Sequence, residues 1–113
     1  MRKNCSQVVL ENFFEPCILF LLIKKPSYGY DLKKQLKETY NCQINIGNLY
    51  RCLNRLKKNG YINRHQEKGI KGPKRYDYTI TAKGKKYLAG WIADLKKQNK
   101  IISLLIKNYQ KYL

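Results

Sequence analysis

Apolar residues recur along this chain first at helical spacing, then at alternate positions, then at helical spacing again, and each change of period predicts a change of element. Gln7 to Phe14 reads as a short amphipathic helix. Pro16 suits the first turn of a second helical stretch, Cys17 to Ile23, because its missing N–H would have no partner there anyway. Lys24-Lys25-Pro26 ends that stretch. In the next one, capped by Ser27, Leu32 and Leu36 share a face while Lys33, Lys34 and Lys37 point to solvent. Asn41-Cys42-Gln43 is a turn. Asn45 is a good N-cap for a helix from Ile46 to about Asn59, which stops at Gly60.

After Gly60 the period shortens to two. Tyr61 to Gln66 and Arg75 to Ile80 predict strands, the second with Tyr76, Tyr78 and Ile80 on one face, joined by the Gly/Pro/Lys loop EKGIKGPK. Thr81 then caps a helix that continues to Leu113, with Gly84 and Gly90 expected to weaken or bend its start. Helices followed by a basic two-stranded hairpin give the order of a winged helix-turn-helix. The expected fold is therefore mainly α with a small β-hairpin: a winged helix-turn-helix plus a long C-terminal dimerisation helix. The division falls between residues 1–81, the DNA-binding part, and residues 82–113, the dimerisation helix.

The last helix carries its own signal. Leu88, Trp91, Leu95, Gln98, Ile102, Leu105, Tyr109 and Tyr112 recur at alternating spacings of three and four, which is a heptad seam. At 1.5 Å per residue the helix is roughly 46 Å long, more than so small a domain covers. Part of the seam must meet another surface, either a second copy or Val8, Val9, Phe13 and Phe14 of the same chain. Gln98, the single polar seam residue, is placed to set register or to line a cavity.

Charge sharpens the reading of the helix at Ile46. Leu49, Leu53 and Leu56 fall on one stripe, with Arg51, Asn54, Arg55 and Lys58 opposite and Asn48 at the edge. Arg can read guanine and Asn adenine through paired hydrogen bonds, whereas Lys more often meets phosphate. The whole chain holds 24 Lys and Arg against 7 Asp and Glu, a formal charge of +17. Between Asn45 and Lys86 twelve cations face only Glu67 and Asp77. Such a field attracts polyanions, and double-stranded DNA is the first candidate. The alternative is a small basic protein that binds RNA or nucleic acid without sequence preference, for which the ten tyrosines could supply stacking. An architectural or membrane-surface protein is a third class.

Other classes find little support. The longest apolar run, Cys17 to Ile23, falls well short of the roughly 20 residues a spanning helix needs. No secretory signal is visible, so a cytoplasmic protein without membrane partners is expected. Cys5, Cys17, Cys42 and Cys52 contain no C-x-x-C pair and have only His65 beside them, so neither a metal nor a cofactor is expected, and the thiols read as reduced and mostly buried. Cys52, on the basic helix, is the one candidate for redox sensing. Without a phosphate loop or nucleophile elbow, no catalytic residue is assigned and an enzyme is not expected.

Three runs, PCILFLLIKKPSYGYDL, GNLYRCLNRLKKNGYI and GPKRYDYTITAKGKKYL, together resemble the PadR-like transcriptional regulators. Pro26, Gly29, Tyr30, Asp31, Gly47, Leu49, Tyr50, Arg55, Leu56, Gly60, Arg75, Tyr78, Thr81 and Gly84 match that family's pattern in order, over nearly the whole chain. Arg51 stands where many members have Pro, and Tyr28 where His is frequent. The resemblance implies a homodimeric repressor of a palindromic operator, with release by a small hydrophobic or aromatic effector as an option it leaves open. The candidate DNA contacts are then Tyr28, Asn45, Asn48, Tyr50, Arg51, Asn54, Arg55, Lys58, Lys71, Lys74 and Arg75. The candidate effector or dimer surface is Phe13, Phe14, Leu88, Trp91, Leu95, Gln98, Ile102 and Leu105.

Overall fold

The computed structural model describes residues 12–67 and 75–113. The helix expected over Gln7–Phe14 therefore lies almost wholly outside the described residues, as do Lys71 and Lys74. Among the described residues the order is α1 (Phe14–Lys24), β1 (Ser27–Tyr28), α2 (Gly29–Tyr40), α3 (Ile46–Lys58), β2 (Ile62–Glu67), β3 (Arg75–Ile80) and α4 (Ala82–Tyr112). This is a winged helix-turn-helix with a long C-terminal helix, mainly α with a small antiparallel sheet.

The sheet has one strand more than the alternation predicts. β1 pairs with β3, Ser27 opposite Tyr78, while β2 pairs along the other edge from Ile62 opposite Ile80 to Glu67 opposite Arg75. Two residues are too few to show a period, so β1 is invisible to a pattern search. Its presence corrects the role given to Ser27. That side chain is buried and donates to the Lys25 carbonyl at 3.3 Å, while Tyr28 takes the N-cap position of α2 without a side-chain cap.

Leucines and isoleucines from every helix meet in one core. Ile18, Leu19, Leu32, Leu36, Leu49, Leu53 and Leu56 have no exposed surface, and Ile62, Tyr78 and Leu88 close the sheet side and the root of α4. Two left-handed residues end the helices of the motif: Asn41 at φ 55° after α2 and Gly60 at φ 81° after α3. The expected N-caps of α3 and α4 are present. Asn48 N–H donates to Asn45 Oδ1 at 2.7 Å and Gly84 N–H to Thr81 Oγ1 at 3.0 Å.

α4 is one helix of 31 residues that runs through both Gly84 and Gly90. A β-carbon at Gly84 would lie 2.1 Å from the Tyr61 carbonyl oxygen, so its lack of a side chain lets the helix dock on the chain leaving α3. The cysteines require another correction. Cys17 and Cys52 are free and buried, but Cys42 is disulfide-bonded. Sequence spacing reports only neighbouring cysteines, whereas folding can join distant ones.

Candidate nucleic-acid interface

α3 separates its residues cleanly by burial. Leu49, Cys52, Leu53 and Leu56 face the core, and Asn48, Tyr50, Arg51, Asn54, Arg55, Lys57 and Lys58 are exposed. Near the helix start, the Arg51 guanidinium donates to Asn48 Oδ1 and lies over Gly47, so the two side chains form one polar unit on the first turn. Tyr50 is 40% exposed; its hydroxyl packs where a β-carbon on Gly29 would stand, at 2.7 Å, and so seats the ring against the start of α2.

Two of the expected contacts are engaged elsewhere. Asn45 Oδ1 is committed to capping α3. Arg55 turns away from the outer face toward α1, its Nε 2.8 Å from Glu15 Oε2. Glu15 is only 5% exposed, and its other oxygen accepts from the Tyr87 hydroxyl at 2.6 Å. One buried carboxylate therefore links α1, α3 and α4. A buried charge with both oxygens satisfied is tolerable, whereas an unpaired one is not, which explains why Arg55 bends inward. Helical geometry alone could not separate it from Arg51. The signal available in the sequence was Glu15 itself, a charge amid Phe13, Phe14, Pro16 and Cys17 that needed a cation.

At the base of the wing, Tyr28 from β1 donates to Glu67 at the end of β2, and Arg75 lies 5.7 Å from the Tyr28 ring centre. The hydrogen bond to Glu67 raises the Tyr28 phenol above its ordinary value, so it remains a donor. Arg64 stacks over Tyr76 at 4.4 Å. Tyr28 and Arg75 thus form a basic, aromatic pair on one face of the sheet, while Arg64 and Tyr76 lie on the other.

Cys52 does not fit a redox sensor. Burial pushes its thiol up to about 11 despite the opposing charge of Arg55, and a protonated thiol is a poor nucleophile. Among the described residues, no cluster of three or more His, Cys, Asp or Glu could hold a metal, and no helix is long and apolar enough to cross a membrane. A basin of about 1150 Å³ beside Asn45 is lined by Tyr30, Lys33, Lys34 and Lys37 among others, and none of the proposed effector residues borders it.

The expected effector or dimer surface splits along α4. Leu88 is 4% exposed and belongs to the core of its own chain, not to a free face. Phe13, Phe14 and Trp91 are partly buried against that same core. Leu95 is half-buried, Gln98 is exposed, and Ile102, Leu105 and Tyr109 are 46%, 69% and 60% exposed. The first two turns of the seam pack on α1; the rest has no partner among the described residues.

Residues 18–90 match the model of the family described as transcriptional regulator PadR-like. The fold is similar to a PadR-like transcription factor from Bacteroides fragilis, with 33% identity and a TM-score of 0.72 over 81% of this chain and 88% of that one. It is also similar to Bacillus subtilis PadR in complex with operator DNA, with 26% identity and a TM-score of 0.66, covering 72% of this chain and 47% of that longer one. An uncharacterized protein of Lysinibacillus sphaericus is 28% identical over 104 residues, spanning 90% of this chain and 95% of the relative.

Proposed function

The chain belongs to the PadR-like family of transcriptional regulators, and from this we propose that it is a homodimeric repressor that lays α3 of each protomer into the major groove of a palindromic operator. The observation that carries the reading is the division of α3, with three leucines wholly buried on one side and Asn48, Arg51, Asn54 and Lys58 exposed on the other. In helix-turn-helix proteins the start of the second helix meets base edges, and the Asn48–Arg51 unit occupies that position. The DNA complex of the similar Bacillus subtilis protein supports the same partner. Tyr50 sits beside these residues, and Tyr28, Arg75 and the wing lysines Lys71 and Lys74 supply phosphate contacts. Asn45 shapes the helix start, and Arg55 holds it to α1.

The dimer reading rests on the far half of α4, where Ile102, Leu105 and Tyr109 leave apolar surface in water that a second copy would cover. Residues 1–81 then read DNA and residues 82–113 join the copies, with the root of α4 shared between both tasks. A flat hydrophobic effector would stack at Trp91, which, like Phe13 and Phe14, is partly buried against the core. Such a ligand releases DNA only through unequal affinity for two spacings of the reading helices.

Selection of duplexes from a random pool tests this function. The expected product is a palindrome with half-sites about 34–36 Å apart or a multiple of that distance. Equal retention of all sequences, or preference for single strands, would establish the nonspecific or RNA-binding alternative instead.

A further inference from the structure

The outer face of α4 is a separate charged surface. Lys85, Lys96 and Lys107 follow one another at eleven-residue steps, as do Lys86 and Lys97, and Lys100 and Lys111. Eleven residues at 100° each return within about 20° of the starting direction, so these seven lysines form a nearly straight band about 120° wide. From Lys85 to Lys111 it runs about 39 Å at 1.5 Å per residue. All seven are exposed. Asp94, the only acid of α4, lies outside the band, and neither ion pair found among the described residues involves it.

A face kept merely soluble ordinarily mixes both signs. Here Lys96 with Lys100, and Lys107 with Lys111, set like charges four residues apart, which weakens a helix. The band also lies opposite the apolar arc of Trp91, Leu95, Ile102, Leu105 and Tyr109, so pairing of α4 with a second copy leaves it open. Its length matches one turn of duplex, about 34–36 Å. Leu104, 57% exposed, is the one large apolar side chain within it, too little to insert into a bilayer, where a surface helix buries a whole apolar face. That face is the arc already used in pairing.

We propose that the lysine band of α4 is a second, sequence-independent binding surface for double-stranded DNA, through which a dimer seated on its operator captures another duplex segment. The proposal rests on the homodimeric operator-binding reading above. It assigns a task to charge that neither α3 nor the wing uses, and it makes the regulator a bridge between DNA segments.

The test uses the full chain bound to an immobilised operator duplex obtained by the selection described above, challenged with a labelled random duplex. Wild-type protein is expected to retain the labelled duplex. Lys96→Gln/Lys100→Gln/Lys107→Gln/Lys111→Gln should reduce capture at least about tenfold while changing operator affinity less than about twofold, and the corresponding four Arg substitutions should preserve capture. Circular dichroism checks that the variants remain helical. Capture by the Gln variant equal to wild type would overturn the proposal, as would no capture by wild type. Co-sedimentation with anionic phosphatidylserine vesicles that is lost in the Gln variant, with DNA capture unaltered, would reassign the band to membranes and overturn it likewise. Failure of wild type to hold the operator at all would instead strike the first step and remove the premise.

Discussion

The winged-helix body and the far half of α4 are built from the same kinds of residue at similar helical spacings, yet they end in opposite environments. Leu49, Leu53 and Leu56 of α3 are wholly buried; Leu104, Leu105 and Ile106 of α4 are 57%, 69% and 51% exposed. The body closes because α1, α2, α3 and the sheet surround a common centre. α4 reaches 31 residues, and only its root touches α1. Apolar periodicity therefore marks a face without saying whether its own chain covers it.

The comparison breaks most severely inside the body. Leu53→Ala should cost about 2–5 kcal/mol, because it opens a cavity at a site with no exposed surface, and the denaturation midpoint measured by circular dichroism should fall accordingly. Glu15→Gln comes next. Losing one partner of a buried pair costs up to about 3–5 kcal/mol, but the Arg55 side chain is 43% exposed and solvent screens it, so about 1–2 kcal/mol is expected. A double-mutant cycle with Tyr87→Phe should be non-additive, since both act on one carboxylate.

A smaller effect comes from the buried thiols. Burial raises Cys17 and Cys52 to about 11 from an ordinary value near 9. The folded state therefore holds these protons more tightly than the unfolded chain, and their contribution is fully present below pH 9 and lost as pH rises from about 9 to 11. Thermal midpoints across that range should decline, and the decline should be shallower in Cys17→Ala/Cys52→Ala. The smallest effect sharpens the contrast. At concentrations where the chain is monomeric, Leu105→Ala should change stability by less than about 0.5 kcal/mol, whereas sedimentation at higher concentration should show weakened self-association. A large loss in the monomer would mean that the far half of α4 packs on its own domain.

Much of this was legible in the sequence because the signals were local. The cap at Asn45, the stop at Gly60, the two long strands and the cap at Thr81 each depend on a few adjacent residues, and each is present. What escaped depends on contacts between distant segments. β1 exists only through its pairing with β3, Gly84 is required by the Tyr61 carbonyl, and Leu88 belongs to the body because α1 lies against it. The polar outer face of α3 was legible as a face. Its membership was not, because Arg51 and Arg55 look alike until Glu15 is brought from forty residues away.

That inward turn of Arg55 has a consequence for the ions around DNA. A cation that neutralises a phosphate releases condensed counterions, and each such contact adds about 0.9 to the slope of log affinity against log salt. Arg55, already neutralised by Glu15, releases none. On the proposed DNA-binding reading each chain is therefore less salt-sensitive by about one ion than its sequence suggests, and Glu15→Gln, by freeing the guanidinium, should steepen the slope even as it loosens the fold.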